Sequence, residues 1–220
     1  MKIIKKVKNK AKLTNSSARW LDRNARDKYS KLAKQNNLRS RAAYKLEEIN
    51  RKFNVLKNAK FVLDLGAYPG SWLQYMKGVV KSDCQLIGVD LKLIESIERV
   101  KIIQGDFTSA EVQAKLEEIV LRNGGGFDLI CSDMAPSTSG TRSINHINIM
   151  NLAEAVFLFS EEFLGERGNL VIKLFEGNTT KLFFNRLKER FSKVSFFKPS
   201  ASYSDSSEIF IIAKDKIVSK

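Results

Sequence analysis

The stretch Phe61-Val-Leu-Asp-Leu-Gly-Ala-Tyr-Pro-Gly-Ser-Trp72 decides the fold of this chain. Its first five residues, Phe61–Leu65, form a mostly apolar run, which is typical of a strand buried on both faces of a sheet. The run leads into a turn that contains Gly66 and Gly70, and glycine lets a ligand approach the backbone closely. Because ligands of α/β proteins bind beyond the carboxyl ends of the strands, this turn is a predicted ligand site.

Short apolar runs and helical patterns alternate along the rest of the chain. We predict further strands at Leu86–Asp90, Lys101–Gln104, Asp128–Ser132, Asn169–Leu174, Lys193–Phe197 and Glu208–Ala213. We predict helices at Ser40–Asn50, Ala110–Arg122, Ile149–Leu164 and Thr180–Phe191. This alternation predicts an α/β protein in which helices cover both faces of a central sheet.

Two basic segments precede the first predicted strand. Residues 1–17 are polar and without periodicity, which predicts a flexible arm, and we expect residues 18–220 to form a single domain. Within that domain, residues 18–52 are predicted to be a basic helical part that binds RNA, with Ser40 as the N-cap of its clearest helix. The apolar residues of this helix recur at spacings of three and four, at Ala43, Leu46, Ile49 and Phe53.

The composition fits one globular domain. The 220 residues are 43% hydrophobic and 28% charged, which excludes disordered and collagen-like chains. The two cysteines, Cys84 and Cys131, make at most one disulfide, and this favours a reducing compartment. No apolar run approaches the roughly 18 residues of a membrane span, and the basic start lacks the apolar segment of a secretory signal. We therefore expect a cytoplasmic monomer with no membrane partner.

The positive charge is concentrated at the start of the chain. The net charge is +14; residues 1–52 hold 17 Lys and Arg against four acids, a net +13, whereas residues 53–220 hold 21 against 20. A surplus of this size in one segment indicates a polyanionic partner, and nucleic acid is the expected one. An anionic membrane surface is the alternative, but bulky apolar residues are sparse between residues 2 and 34, and such binding requires an apolar helix face.

Acidic residues lie at the edge of the predicted sheet where a ligand would bind. Asp64 belongs to the first strand, Asp90 ends the second and Asp106 follows the third. Asp90 comes twenty residues after Gly70, the usual position of a carboxylate that binds a ribose diol, and Asp106 is placed to hold an adenine amino group. Pro69 removes one of the backbone N–H groups that a pyrophosphate requires, so we expect a nucleoside cofactor without phosphates.

Two further charged residues follow the fourth and fifth strands. Asp133 comes directly after one strand, and Lys173 lies near the end of the next among Val, Ile, Leu and Phe. A lysine in such surroundings costs desolvation free energy unless it is paired. It is either part of a structural ion pair or a base whose pKa is tuned for proton transfer. The single histidine, His146, and two distant cysteines indicate no metal site.

Five motifs, in this order, resemble those of the FtsJ (RrmJ-type) family of S-adenosylmethionine-dependent ribosomal RNA ribose 2'-O-methyltransferases. The resemblance covers about residues 18–213. Its motifs are Arg39-Ser-Arg-Ala-Ala-Tyr-Lys-Leu46, Asp64-Leu-Gly-Ala-Tyr-Pro-Gly-Ser-Trp72, Ser132-Asp-Met-Ala-Pro136, Val171-Ile-Lys-Leu-Phe-Glu-Gly177, and Lys198-Pro-Ser-Ala-Ser202 followed by Glu208. The resemblance implies a Rossmann-like class I methyltransferase fold, with a mostly parallel central sheet, an antiparallel last strand, helices on both faces and a basic N-terminal helical extension.

The same resemblance implies the site residues. The implied catalytic residues are Lys45, Asp133, Lys173 and Glu208. The implied contacts to S-adenosylmethionine are Gly66, Gly70, Trp72, Asp90, Asp106 and Asp133. In this interpretation Lys173 takes the proton of a ribose hydroxyl, Lys45 steadies the oxyanion, Asp133 orients the ammonium groups, and Glu208 holds Lys45 or the ribose. A charged Lys173 that only positions the substrate is the alternative.

The implied substrate is large-subunit (23S) ribosomal RNA, methylated at the ribose of a uridine, in the assembled ribosomal subunit. The same chemistry on a tRNA or a mitochondrial large-subunit ribosomal RNA is an alternative, as is a catalytically silent RNA-binding protein of ribosome assembly. A nicotinamide oxidoreductase is disfavoured by Pro69. The chain departs from the family at Tyr68, where a small residue is usual, and at Tyr203, where an arginine is usual.

Overall fold

The computed structural model describes residues 27–136 and 141–217, in which seven strands alternate with six helices. The strands are β1 (Phe61–Leu65), β2 (Gln85–Asp90), β3 (Val100–Gln104), β4 (Phe127–Ser132), β5 (Leu164–Phe175), β6 (Phe191–Phe197) and β7 (Glu208–Lys216). The helices are α1 (Lys28–Gln35), α2 (Ala43–Phe53), α3 (Ser71–Val79), α4 (Ala110–Asn123), α5 (Arg142–Phe163) and α6 (Thr180–Arg190). Each predicted strand lies within an observed one, so the predicted α/β alternation is confirmed.

The strands form one sheet in the order β3-β2-β1-β4-β5-β7-β6. Strands β1 to β5 pair in parallel, and β7 pairs antiparallel with both β5 and β6. The prediction of a mostly parallel sheet with an antiparallel last strand is therefore confirmed. Because β2 and β4 lie on opposite sides of β1, the strand order reverses there, and the carboxyl ends of β1 and β4 flank the crevice where ligands of such sheets bind.

Apolar side chains cover both faces of the sheet. Along β1, Phe61, Leu63 and Leu65 belong to a core layer with helices α4, α5 and α6, while Val62 belongs to a second layer with α2 and α3. This alternation follows from the two-residue period of a strand. The second layer matters for the site, because it fixes α2 and α3 against the face of the sheet beside the end of β4.

Helix α2 starts later than the sequence predicted. The predicted N-cap, Ser40, lies outside the helix; Ala42 occupies the N-cap position and makes no side-chain capping bond. The Ser40 hydroxyl instead accepts from the Ala42 N–H at 3.2 Å and lies 2.8 Å from the Ser71 hydroxyl at the start of α3. The predicted apolar face is confirmed, because Ala43, Leu46 and Ile49 are buried.

The predicted arm, residues 1–17, lies outside the described residues, as do residues 18–26. Of the predicted basic helical part, the structure describes α1 and α2, which are separated by a short connection rather than forming one helix. Helix α1 begins at an N-cap, Asp27, whose carboxylate accepts from the Ser30 N–H at 2.6 Å. No helix in the described ranges is both long and apolar enough to cross a membrane.

Candidate active site

Four charged side chains from distant parts of the chain meet beside the end of β4. The Lys45 ammonium lies 2.9 Å from Glu208 Oε2 and 3.5 Å from each carboxylate oxygen of Asp133. The Lys173 ammonium lies 3.0 Å from Asp133 Oδ1 and also donates to the Asp133 backbone carbonyl. The structure thus brings together all four predicted catalytic residues in one connected cluster of two lysines and two acids.

Each member of this cluster is placed by a regular element. Lys45 projects from α2, and Asp133 follows β4 directly. Lys173 lies in β5 opposite Phe210 of β7, two residues beyond Glu208 at the start of that strand. Parallel β4 and antiparallel β7 flank β5, so the end of β4 and the start of β7 lie at the same edge of the sheet. The topology therefore explains how residues far apart in sequence converge.

Burial makes the charges of this cluster depend on one another. Lys173 is 7% and Glu208 9% exposed, and a buried charge is costly unless it is paired. Burial alone would lower the pKa of Lys45, but the charges of Asp133 and Glu208 and their hydrogen bonds outweigh it and raise this pKa. Burial likewise opposes ionisation of Asp133, yet Lys173 and Lys45 hold its pKa below the ordinary value. Lys45 is therefore an ammonium and Asp133 a carboxylate at neutral pH.

A cavity of about 750 Å³ adjoins this cluster. Three carboxylates line it, those of Asp90, Asp106 and Asp133. Its remaining lining combines glycine backbone, apolar side chains and polar side chains from α5, including Gly66, Gly105, Val89, Phe107, Met134, Leu152, Asn148 and Asn151. A small-molecule site of this size with a few convergent polar groups fits a ligand of nucleoside dimensions.

Backbone hydrogen bonds orient the carboxylates of the cavity. Asp90 accepts from the N–H of Tyr68 at 2.9 Å and from the N–H of Lys92 at 2.8 Å. Asp106 Oδ1 accepts from both the N–H and the hydroxyl of Thr108, at 2.9 and 2.7 Å. Each carboxylate is therefore held by the turn that follows its strand, and each keeps further acceptor capacity at the wall of the cavity.

Three residues of the glycine turn were predicted to contact a cofactor, and the structure places only one of them on the cavity. Gly66 lines it with φ +76°, and a Cβ at this position would lie 2.1 Å from Met134 Cγ. Gly70, with φ +98°, is instead packed under the guanidinium of Arg39. Trp72 is 2% exposed, and its indole N–H donates to the Ala42 carbonyl at 2.8 Å. Gly70 and Trp72 thus pack the turn against the N-terminal part of the described chain.

The two departures from the family pattern lie in different parts of the structure. Tyr68 lines the cavity, is 49% exposed, and has the Lys92 ammonium 4.9 Å from its ring centre. Tyr203 packs its ring against the Arg41 guanidinium, with 3.8 Å between guanidinium carbon and ring centre. Tyr68 therefore belongs to the wall of the cavity, and Tyr203 to the junction between the N-terminal helices and the loop before β7.

The described residues contain no group of three or more His, Cys, Asp or Glu that is arranged to hold a metal ion. His146 has a packing role. Its Nδ1 lies 3.1 Å from the Phe175 carbonyl, which only accepts, so Nδ1 donates; Nε2 lies 2.8 Å from the Thr179 hydroxyl. This side chain joins α5 to the turn after β5.

Sequence reasoning missed Ser202 and gave Asp64 no defined task. The buried Ser202 hydroxyl donates to Glu208 Oε1 at 2.6 Å. Its place in the motif Lys198–Ser202 was the available signal, but contact with Glu208 depends on how the loop folds. Asp64 is buried at 1% exposure beneath the site, and its position in an otherwise apolar strand was the available signal.

Comparison with protein-family models gives a match to the FtsJ-like methyltransferase family over residues 38–216. A ribosomal RNA large subunit methyltransferase E from Allorhizobium ampelinum is 42% identical over 216 residues, which cover 97% of this chain and 81% of the relative. The protein of the same name from Methanocaldococcus jannaschii is 40% identical over 198 residues, which cover 89% of this chain and 81% of the relative.

A solved structure is similar as well. It is a crystal structure described as that of a ribosomal RNA methyltransferase from Plasmodium falciparum, with a TM-score of 0.72 and 33% sequence identity. The match covers 81% of this chain and 98% of that chain. The family match over residues 38–216 includes all four residues of the cluster.

Proposed function

The chain belongs to the FtsJ-like methyltransferase family, and on this premise we propose that it methylates a ribose 2'-hydroxyl of large-subunit ribosomal RNA with S-adenosylmethionine as the donor. The observation that carries the proposal is the cluster of Lys45, Asp133, Lys173 and Glu208 beside a cavity lined by carboxylates. The names of the relatives support ribosomal RNA as the substrate. The target is a uridine of 23S RNA in the assembled subunit.

The cavity suits S-adenosylmethionine better than a dinucleotide. Asp90 would hold the ribose diol and Asp106 the adenine amino group, and both line the cavity, while Gly66 leaves room where a Cβ would meet Met134. Three lining carboxylates favour a ligand that carries positive charge and disfavour a pyrophosphate. When bound, S-adenosylmethionine supplies a methyl group activated by a sulfonium, so the protein has to align the reactants and remove one proton.

The lysines have different tasks in this proposal. Lys45 contacts two carboxylates and remains an ammonium, which suits it to steady negative charge on the ribose oxygen. Among the described acids, Lys173 contacts the carboxylate of Asp133 alone, and as the neutral amine it is the base that takes the hydroxyl proton and becomes an ammonium. Asp133 orients both lysine side chains, and Glu208 holds Lys45 in place.

The basic N-terminal part is the proposed RNA-binding surface. Residues 1–52 carry 13 of the 14 net positive charges, and the lysines of α1 at positions 28, 31 and 34 are exposed. Helix α2 carries Lys45 and joins this surface to the cluster. Phosphate contacts on α1 would therefore bring a ribose within reach of the catalytic residues.

The proposal is tested by transfer of a labelled methyl group from S-adenosylmethionine to isolated large ribosomal subunits, to naked ribosomal RNA and to tRNA. A 2'-O-methyl group blocks alkaline cleavage of the following phosphodiester, so mapping resistant positions identifies the atom and the nucleotide. We expect label in large-subunit RNA at one uridine ribose. Label on a base, label only in tRNA, or RNA binding without transfer would contradict the proposal.

The assignment of Lys173 as the base predicts a loss of rate without loss of cofactor affinity. We expect Lys173→Ala and Lys173→Met to slow single-turnover methyl transfer by about 10²–10⁴-fold, the usual contribution of a positioned base. Calorimetry is expected to give a donor affinity within about threefold of wild type, because Lys173 does not line the cavity. A near-normal rate with intact donor binding would exclude Lys173 as the base.

A further inference from the structure

The loop between β6 and β7 contacts both the catalytic cluster and helix α2. It runs from residue 198 to residue 207 and ends at Glu208, the first residue of β7. Ala201 and Ser202, in the middle of the loop, are buried, although loop residues usually lie on the surface. Hydrogen bonds to Glu48 and to Glu208 hold these residues of the loop against the rest of the protein.

Glu208 is held from both sides. Its Oε1 accepts from the Ser202 hydroxyl at 2.6 Å, and its Oε2 accepts from the Lys45 ammonium at 2.9 Å. The Glu208 backbone N–H also donates to the Ser206 hydroxyl at 3.1 Å. Because Glu208 and Ser202 are both less than 10% exposed, water does not readily replace the Ser202 hydroxyl if it is removed. The carboxylate then loses the contact that fixes its rotation.

Helix α2 also binds the loop through a second side chain, Glu48. The Glu48 carboxylate accepts from the Ser200 N–H at 2.6 Å and from the Ala201 N–H at 3.0 Å. Glu48 follows Lys45 by three residues, so both side chains leave the same face of α2. The contacts form a closed ring: Lys45 binds Glu208, Glu208 binds Ser202, and the residues before Ser202 bind Glu48 on the same helix.

We infer that Ser202 is a positioning residue that keeps the Glu208 carboxylate in contact with the Lys45 ammonium. Glu48 fixes the position of the loop that carries Ser202, because it binds the backbone of the two residues before it. This inference rests on the proposed function, because Lys45 acts on the ribose oxygen only in that reaction. It adds two residues that touch neither the cavity nor the reacting atoms. Their effect is exerted through the direction of the Lys45 ammonium.

The test compares Ser202→Ala with Ser202→Thr, which keeps a hydroxyl, and with the control Ser204→Ala, an exposed serine of the same loop. We expect Ser202→Ala to lower kcat about tenfold, since it removes one buried hydrogen bond to a charged group, with KM for the donor within twofold. Ser202→Thr is expected to recover most of the rate, and Ser204→Ala to match wild type. Equal rates for Ser202→Ala and Ser204→Ala would overturn the inference.

A second readout does not depend on catalysis. Lysine labelled at Cε with ¹³C reports the titration of Lys45 by NMR, with Lys45→Arg to assign its signal. In Ser202→Ala the Glu208 carboxylate is free to turn away from Lys45. Burial lowers the pKa of Lys45, and with Glu208 displaced less negative charge opposes this effect, so the pKa of Lys45 falls relative to wild type. An unchanged titration would overturn the inference. A wild-type protein that transfers no methyl group would instead refute the proposed function, and the titration would still decide the positioning of Glu208.

The ring also predicts coupling between its members. We expect Glu48→Gln, which leaves one carbonyl oxygen for two N–H donors and the Tyr29 hydroxyl, to lower kcat and the pKa of Lys45 in the same direction as Ser202→Ala. The matched control is Glu47→Gln, which removes the same charge from the preceding position of α2. The double variant of Glu48 and Ser202 is expected to lower kcat by no more than about twice the larger of the two single fold-decreases. Fully multiplicative effects would overturn the role of Glu48.

Discussion

At the scale of single residues, Asp64 is a buried acid that none of the proposed steps uses. It lies within β1, its Oδ1 accepts from the Cys131 thiol at 3.7 Å, and its Oδ2 has no hydrogen-bond partner among the described residues. Burial, reinforced by the negative charge of Asp133, raises the pKa of Asp64 well above its ordinary value. The group is therefore a carboxylic acid over a pH range in which it would be ionised in the unfolded chain.

This difference makes stability depend on pH in a defined direction. Between the ordinary pKa of an aspartate and the raised pKa of folded Asp64, the folded state binds one more proton than the unfolded state, so stability falls as pH rises. Asp64→Asn removes that proton exchange with little change in shape. We expect its stability relative to wild type to increase from pH 4 towards pH 7, as measured by urea denaturation at each pH.

The control for this prediction is Asp83→Asn, which changes an exposed aspartate in the turn before β2. Its stability relative to wild type is expected to stay within about 0.5 kcal/mol across the same pH range, as is usual for surface substitutions. Parallel pH profiles for wild type and Asp64→Asn would show that Asp64 is ionised in the folded protein.

At the scale of secondary-structure elements, the sequence predicts the strands well because their apolar runs are buried on both faces and bounded by turns. The carboxyl-end residues Asp90, Asp106 and Asp133 could be grouped from sequence, since parallel strands bring these ends to one edge. The start of α2 was misplaced, because Ser40 is a good cap in isolation but its hydroxyl is used between α2 and α3. Contacts of Ser202 and His146 depend on tertiary packing and leave no periodic signal.

The turn after β5 offers a prediction at this scale. A Cβ on Gly177 would lie 2.4 Å from the His146 ring, so Gly177→Ala displaces that ring and its bonds to Phe175 and Thr179. We expect a loss of about 1 kcal/mol in urea denaturation. His146→Ala is expected to cost a similar amount, and the double variant little more than either single one, because all three remove the same contacts.

The same substitution has the opposite expected sign elsewhere in the chain. Gly78 is the last residue but one of α3, and a Cβ there meets no atom within 4 Å. Gly78→Ala is therefore expected to stabilise the protein by about 0.5–1 kcal/mol through helix propensity. Equal effects of the two alanine substitutions would contradict the proposed contact between Gly177 and His146.

At the scale of the whole molecule, charge and chemistry are separated along the chain. The surplus of positive charge precedes β1, while the residues that hold the proposed donor follow the strands of the sheet. Of the described elements, α2 alone belongs to both the basic part and the catalytic cluster, because it carries Lys45. This arrangement lets RNA affinity change through α1 without disturbing the cavity, so the two properties can be tested independently.

The exposed lysines of α1 give the corresponding test. We expect replacement of Lys28, Lys31 and Lys34 by Gln to weaken RNA binding and to reduce the slope of log affinity against log salt concentration by about 2, since each lost phosphate contact contributes about 0.7–0.9. The matched control replaces exposed lysines at positions 101, 181 and 188, which removes the same charge from other surfaces. Donor binding is expected to stay unchanged in both triple variants. If the salt slope falls by the same amount in both variants, RNA binding depends only on the net charge of the molecule. A larger fall for the α1 variant requires that phosphates bind on that helix, next to the helix that carries Lys45.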